Sequence, residues 1–413
     1  MSLRILHVIG SVNPAAGGTI EGVKQLSKVN TAYGHTVEVA SLDDPASPWV
    51  DKLGLPVHAM GPSYTHYGYC PRLVPWLRAN RKNYDAVIVD GIWGYNALGV
   101  WRALHGTDTA YYVYTHGMLD PWFKYRYPLK HLKKWLFWPW AVFPVLSDAR
   151  GVFFTCEEER RLARNSFWLY DCNEIVMTHG TPGVPDTAKD YGAAFLEKRP
   201  ELKSFRRFVF LGRVHPKKGP DIIIRTITGL QAAGRWDPAV MRLVLAGPAD
   251  GDYAARLQAL AKKLGVDGSI VWTGMLLGDD KWGALQSAEV FLLPSHQENF
   301  GIAVAESLSV GVPVLISKAV NIWADIVADG AGTAGEDTVP DFERQMTDWL
   351  EMSEEEVAIM RQRARLCFEN RYTSRRAAVA MLANIYQIMA VEKLGAAERH
   401  GGRWAGRPEG RKA

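Results

Sequence analysis

Two glutamates eight residues apart, Glu298 and Glu306, lie in the stretch 294–316, PSHQENFGIAVAESLSVGVPVLI. The segment from about Gly301 to Ser309 reads as helix, which puts Glu306 on the helix and leaves Glu298 in the loop before it. At ~1.5 Å of rise per helical residue the two carboxylates stand roughly 12 Å apart, too far to act on one atom as an acid/base pair. They suit the two ends of a long ligand. After Asn299, the N–H groups of Phe300, Gly301 and Ile302 face outward at the positive end of the helix dipole, a cradle for an anion. Hydroxyls at both ends and phosphates in the middle describe a sugar nucleotide.

A second anion site lies upstream in 208–220, FVFLGRVHPKKGP. An apolar strand meets a turn at Gly212, and Arg213 and Lys218 then project from a short loop before a helix starts. Arg grips two phosphate oxygens at once and Lys adds a compact charge, so diphosphate is the guest these residues fit.

The elements around these residues repeat. Strand-like runs occur at 5–9, 37–41, 86–89, 111–114 and 151–155, and again at 208–211, 242–246, 270–272, 290–293 and 312–316. Helical or loop segments separate them, and two successive βα series imply an α/β protein of two Rossmann-like doubly wound domains facing across a cleft. At 413 residues the chain exceeds one ordinary core. The expected division is a first domain over 1–183, a linker over 184–204, a second domain over 205–371 and a helix over 372–394 that returns to the first. The Gly-, Arg- and Glu-rich end, 395–413, is expected to be disordered.

Gly212-Arg213, then Lys218-Gly219, then Glu298 and Glu306 some eighty residues later form a set that resembles the retaining glycosyltransferases of family 4, which have the GT-B fold. The likeness runs from residue 3 to about 390. It includes a first strand at 4–9, a glycine loop at 14–19 and the GHTVEV run at 34–39. It extends to a bacterial polysaccharide-biosynthesis branch through Asp90-Gly91-Ile92-Trp93 and 115–122, THGMLDPW. The resemblance implies that Arg213 and Lys218 hold the diphosphate of a nucleotide-sugar donor, with Glu298 near the anomeric centre and Glu306 on the ribose. It also implies that Gly17 and Gly18 close over the phosphates from the opposite domain, and that His116 contacts sugar or acceptor. Asp90 stands where related sequences often carry His. Gly247 falls to the wall of the nucleotide pocket. The implied activity is hexose transfer to a saccharide or lipid-linked acceptor in surface polysaccharide biosynthesis. A sugar-nucleotide epimerase or hydrolase, or a noncatalytic saccharide-binding subunit, is the competing reading on the same fold.

The 10–14 run, GSVNP, does not make the G-x-G-x-x-G of a dehydrogenase. Asp250-Gly251-Asp252 invites a metal, but it precedes a helical run where Asp is a good cap. With Arg213 and Lys218 supplying positive charge, no metal or cofactor is expected. Cys70, Cys156, Cys172 and Cys367 lack metal-ligand spacing and fit a reduced cytoplasm. There is no secretory pattern and no stretch of ~18 apolar residues. A net charge of +4 without a recognised module gives no case for nucleic acid. The segment 124–140, KYRYPLKHLKKWLFWPW, interleaves cations with aromatics. Two readings stand: peripheral contact with the inner face of a membrane, or an amphipathic helix whose Trp and Leu belong to the first core.

Overall fold

The computed structural model describes residues 2–249 and 251–401. Its first sheet contains β1 (Arg4–Ile9), β2 (Thr36–Ser41), β3 (Val57–Ala59), β4 (Ala86–Asp90), β5 (Tyr111–Tyr114), β6 (Gly151–Phe154) and β7 (Glu174–Val176), in the order β3-β2-β1-β4-β5-β6-β7. The second contains β8 (Arg206–Leu211), β9 (Met241–Ala246), β10 (Ile270–Gly274), β11 (Val290–Leu293), β12 (Val314–Ser317) and β13 (Gly332–Gly335), in the order β10-β9-β8-β11-β12-β13. All pairings between these strands are parallel. Parallel sheets are covered on both faces, so their central strands read as unbroken apolar runs. Both β4 and β11 are buried along their whole length.

Each sheet reverses its winding once, between β1 and β4 in the first and between β8 and β11 in the second. At such a point the loops leaving neighbouring strands diverge and open a crevice at their carboxyl ends. Asp90 ends β4, and Gly212 follows β8 directly.

The chain passes between the halves twice, and the passages touch. Thr181 N–H donates to Tyr372 O (2.9 Å), and Ser374 N–H donates to Thr181 O (3.1 Å). The final helix, Ser374–Gly401, then packs Ala377, Met381 and Ile385 against Leu3, Ile5 and Leu26 of the first half. Of the end expected to be disordered, 395–413, the helix bound falls at Gly401 and 402–413 lie outside the described residues. One expectation needs correction. The expected linker carries a helix, Tyr191–Lys198, whose Tyr191 and Phe195 join the core of the second half because the helix packs closely on Gly283 of the helix Gly278–Gln286.

Among the described residues no helix is long and apolar enough to cross a membrane.

Candidate functional site

The loops after β8 and β9 run side by side. Gly212 N–H donates to Ala246 O (2.9 Å), and Val214 N–H donates to Pro248 O (2.8 Å). Gly247 has φ 149°, and a Cβ there would run into the Gly212 carbonyl, so only glycine lets the two backbones lie this close. The basic loop is tied in turn to the acidic loop after β11. The Lys217 carbonyl accepts from His296 N–H (2.8 Å) and from the Ser295 hydroxyl (2.9 Å). Glu298 is pinned on both sides, donating its N–H to Ala319 O (2.9 Å) and accepting from Asn321 N–H (3.0 Å).

This register brings the Lys218 ammonium onto the Glu298 carboxylate. Burial, helped by the charges of Lys217 and Arg213, pushes Lys218 down to about 7. The Glu298 contact works the other way and favours the charged form. Arg213 itself is exposed.

The helix after Glu298 spans Ile302–Ser309, with Gly301 before it at φ 72°. Among the described residues, the N–H groups of Phe300, Gly301 and Ile302 have no protein acceptor, so this end of the helix is available to an anion. Glu306 lies one turn into the helix, 8% exposed, and pairs with Lys281 at 2.5 Å. Burial raises its pKa, Lys281 opposes the rise, and Glu21 of the first half adds to it. The halves are therefore close here. A Cβ on Gly18 would sit 3.3 Å from the Ile302 side chain, which places the Gly17-Gly18 turn opposite the helix start.

His116 comes from the other half. It lies on the loop after β5 with φ 49°, an uncommon conformation for a residue with a Cβ. A buried carboxylate holds the loop: Glu159 accepts from Thr115 Oγ1 (2.6 Å), Gly117 N–H (2.5 Å), Thr155 N–H (2.7 Å) and Thr155 Oγ1 (2.6 Å). His116 Nε2 then meets Asp90 Oδ1 at 3.1 Å, and His7 Nδ1 meets the second oxygen at 2.8 Å. Burial alone would raise the Asp90 pKa, but the two imidazoles outweigh it and bring it to about 2. Asp90, the departure from the family pattern, is thus the centre of a His7–Asp90–His116 network.

Side chains from the acidic loop reach this network's surroundings. Asn299 Nδ2 donates to Thr155 Oγ1 (3.0 Å), and Gln297 Nε2 donates to Asp120 Oδ2 (2.9 Å). The Phe300 ring stacks on His179 (5.3 Å between centroids), whose own ring lies 6.2 Å from His116. Burial, then the neighbouring His116, hold His179 down at about 4, so it is neutral near pH 7.

The candidate residues accordingly fall into groups. Arg213, Lys218, Glu298 and the helix start form one, with Gly17 and Gly18 opposite. His116 lies across from Asn299 and Phe300. Glu306 stands apart with Lys281. Sequence reasoning missed His7, Glu159, His179 and Lys281, which sit in helices, strands or loops without a local motif. Asp120 lay inside the THGMLDPW run and Gln297 inside the 294–316 stretch, but nothing in the sequence pairs the two.

Asp252 precedes the helix Tyr253–Lys263, but its side chain makes no capping hydrogen bond because its backbone, at φ −81° and ψ 1°, is not extended as a cap is; Asp250 lies outside the described residues. Among the described residues no group of three His, Cys, Asp or Glu could hold a metal ion.

The segment 124–140 divides between its two readings. Trp138 is fully buried in the first core, but the helix Pro128–Phe137 buries none of its residues. Leu129 is 81% exposed, and Leu132, Trp135, Leu136, Trp140 and the neighbouring Trp168 are also exposed.

Comparison with known proteins agrees with this geometry. The family model "Glycosyl transferase 4-like domain" matches residues 17–178, and "Glycosyl transferases group 1" matches residues 193–366. With both halves matched, the chain belongs to the group 1/family 4 glycosyltransferases. Its fold is GT-B. Among curated proteins, D-inositol 3-phosphate glycosyltransferase of Acidothermus cellulolyticus is 33% identical over 27% of this chain and 25% of that one. The protein of that name from Salinispora arenicola is 31% identical over 35% of each. The chain thus spans only about a quarter to a third of the length of these relatives. Among solved structures, sucrose-phosphate synthase of Thermosynechococcus elongatus superposes with a TM-score of 0.72, at 16% identity, over 94% of this chain and 100% of that one. HepE of Anabaena, solved with UDP and glucose, gives 0.69 at 16% identity over 95% and 100%. These two likenesses speak to the fold.

Proposed function

We propose that the protein moves a hexose from a nucleotide diphosphate sugar to a hydroxyl of a saccharide or lipid-linked acceptor, with retention at the anomeric carbon, in surface polysaccharide biosynthesis. The observation that carries this reading is the meeting of Lys218 with Glu298 where the second sheet reverses, beside N–H groups that have no acceptor among the described residues. A donor diphosphate entering there displaces Glu298 from Lys218 and frees it to face the sugar. Arg213, Lys218 and the helix start stabilise charge on the departing diphosphate. The C1–O bond to phosphate breaks with its electron pair going to the phosphate oxygen, the acceptor oxygen bonds to C1 on the same face, and its proton passes to that phosphate oxygen. His116, oriented by Asp90, lines the sugar or acceptor side. Glu306, with Lys281, binds the ribose. The two cations take the part a metal would have on the diphosphate, so no metal is required.

The exposed leucines and tryptophans around the helix Pro128–Phe137, interleaved with Lys130, Lys133 and Lys134, support peripheral contact with an anionic membrane face, where a lipid-linked acceptor would be found. The matching relatives named for an inositol phosphate acceptor leave a soluble acceptor as the second reading.

The test is a thermal-shift and hydrolysis panel of GDP-, UDP- and ADP-sugars with EDTA present and Arg213→Ala as control. Stabilisation of the wild type by one nucleotide, lost in the variant, is expected. Turnover of the sugar nucleotide to an epimer or free sugar at the full rate without acceptor would replace transfer with the epimerase or hydrolase reading. No response to any donor would favour a noncatalytic subunit.

A further inference from the structure

A cavity of about 710 Å³ opens between the halves beside the proposed donor site, and none of Arg213, Lys218, Glu298 or Glu306 lines it. Its cationic walls come from separate elements. Arg126 belongs to the helix Trp122–Arg126 of the first half, Arg225 to the helix Pro220–Ala232, and Arg256 to the helix Tyr253–Lys263. His215, Lys217 and His296 complete the wall from the basic and acidic loops, one residue from Lys218 and two from Glu298.

Part of this charge is engaged within the protein: Lys217 lies over the Trp122 and Phe123 rings and near Asp120, Arg256 lies over the Tyr253 ring, and His296 pairs with Asp337 at 2.6 Å. Among the described residues Arg126, Arg225 and Arg256 have no carboxylate partner. Asp221 also lines the cavity, but the Tyr253 hydroxyl donates to its Oδ1 at 3.0 Å. Three arginines without a carboxylate partner among the described residues, on walls that converge from both halves with Asp221 as the one lining carboxylate, form a patch of excess positive charge. Guanidinium forks reaching one space from different helices match a group with several anionic oxygens better than a single carboxylate. The volume lies within the range of ligand pockets, roughly 300–1,000 Å³, and leaves room for more than the anion alone.

We infer that this cavity seats the phosphate or diphosphate group of the acceptor, beside the loop that carries Lys218. The inference rests on the proposed transferase reading and makes it more specific: the acceptor is phosphorylated. A lipid diphosphate and a free sugar phosphate present the same chemistry. The wall residue Arg126 leads through Tyr127 into the helix Pro128–Phe137, whose Leu129, Leu132, Trp135 and Leu136 are exposed, so a lipid chain has a surface to follow.

The test measures inorganic pyrophosphate by isothermal titration in the Arg213→Ala background, which weakens the donor diphosphate site. Adding Arg225→Ala and Arg256→Ala is expected to weaken pyrophosphate at least ~10-fold, the loss of one to two charge-assisted contacts. Arg225→Lys with Arg256→Lys keeps the charge but loses the forks, and is expected to restore only part of the affinity. Undiminished pyrophosphate binding in the double Ala variant, with its melting curve intact, would overturn the inference. Phosphatidylcholine vesicles carrying farnesyl diphosphate separate the sources. Wild-type binding that the double variant loses points to a lipid diphosphate, whereas a loss confined to pyrophosphate points to a soluble phosphorylated acceptor. The double variant on an otherwise wild-type chain keeps its thermal response to nucleotide sugar. If no nucleotide sugar stabilises the wild type while pyrophosphate follows the expected pattern, the transferase reading fails and the anion site stands.

Discussion

The two halves of the molecule place their reactive groups at the same kind of topological reversal but build them differently. In the second half, Arg213, Lys218, Glu298 and the helix start all come from two short loops, and the loops are bound to one another through Lys217, Ser295 and His296. In the first half, the His116 network gathers His7 from β1, Asp90 from β4 and His116 from the loop after β5, while Glu159 from a fourth element fixes that loop. A site made from contiguous loops can bind a constant group such as a diphosphate. A site made from scattered positions can be retuned one residue at a time, which would suit the proposed acceptor side.

The comparison breaks first at Lys218. Lys218→Ala removes both the proposed grip on the leaving diphosphate and the resting partner of Glu298, and kcat/KM is expected to fall on the order of 10³-fold. A loss of less than tenfold in steady-state kinetics would put the leaving-group charge elsewhere. The Lys218 pKa, held near 7 by burial and its cationic neighbours, adds a pH signature. Diphosphate binding raises that pKa, so donor binding takes up protons at pH 8 and weakens as pH climbs above 7. Titration calorimetry in two buffers of different ionisation enthalpy reads this uptake directly.

Asp90→Asn should cost about 10²-fold in turnover with donor affinity little changed, because it disorders His116 and touches no donor group. The same carboxylate sets an acid limit. Its folded pKa, about 2, lies below the ordinary 3.8, so its contribution is full above about pH 4 and is lost as pH falls toward 2. In acid melts across that window, Asp90→Asn should lose less stability than the wild type. Glu159→Gln leaves some of four buried donors without an acceptor and should destabilise by about 1–3 kcal/mol in chemical denaturation.

Legibility in the sequence follows the same division. The second half's strands and site loops are local patterns, an apolar run followed by Gly or Pro and then charges, and the structure places them within a few residues of the expected bounds. The edge strands β3 and β7 escaped because each is only three residues long and half-buried. β13 escaped because GTAG carries almost no apolar signal. His7 reads as one polar residue within an apolar strand, and only the pairing of β1 with β4 shows that it faces Asp90. Lys281 is one charge among several on a helix until the fold brings Glu306 to it. The 124–140 segment could not be resolved from composition, since burial of Trp138 and exposure of Leu129 depend on which side of the first core the chain passes.

The smallest expected effect is at that exposed face. Leu132→Asp should weaken binding to anionic vesicles several-fold in co-sedimentation while leaving the response to nucleotide sugars unchanged, because Leu132 contacts no part of the proposed donor site.

The most direct test of the central claim is Glu298→Gln, compared with the wild type for turnover and for donor affinity, with exposed Glu355→Gln as control. A drop in kcat on the order of 10³-fold with donor Kd within about threefold is expected if Glu298 acts on the sugar in the transition state. An unchanged kcat, or a loss matched by Glu355→Gln, would contradict the assignment of this loop as the reactive centre.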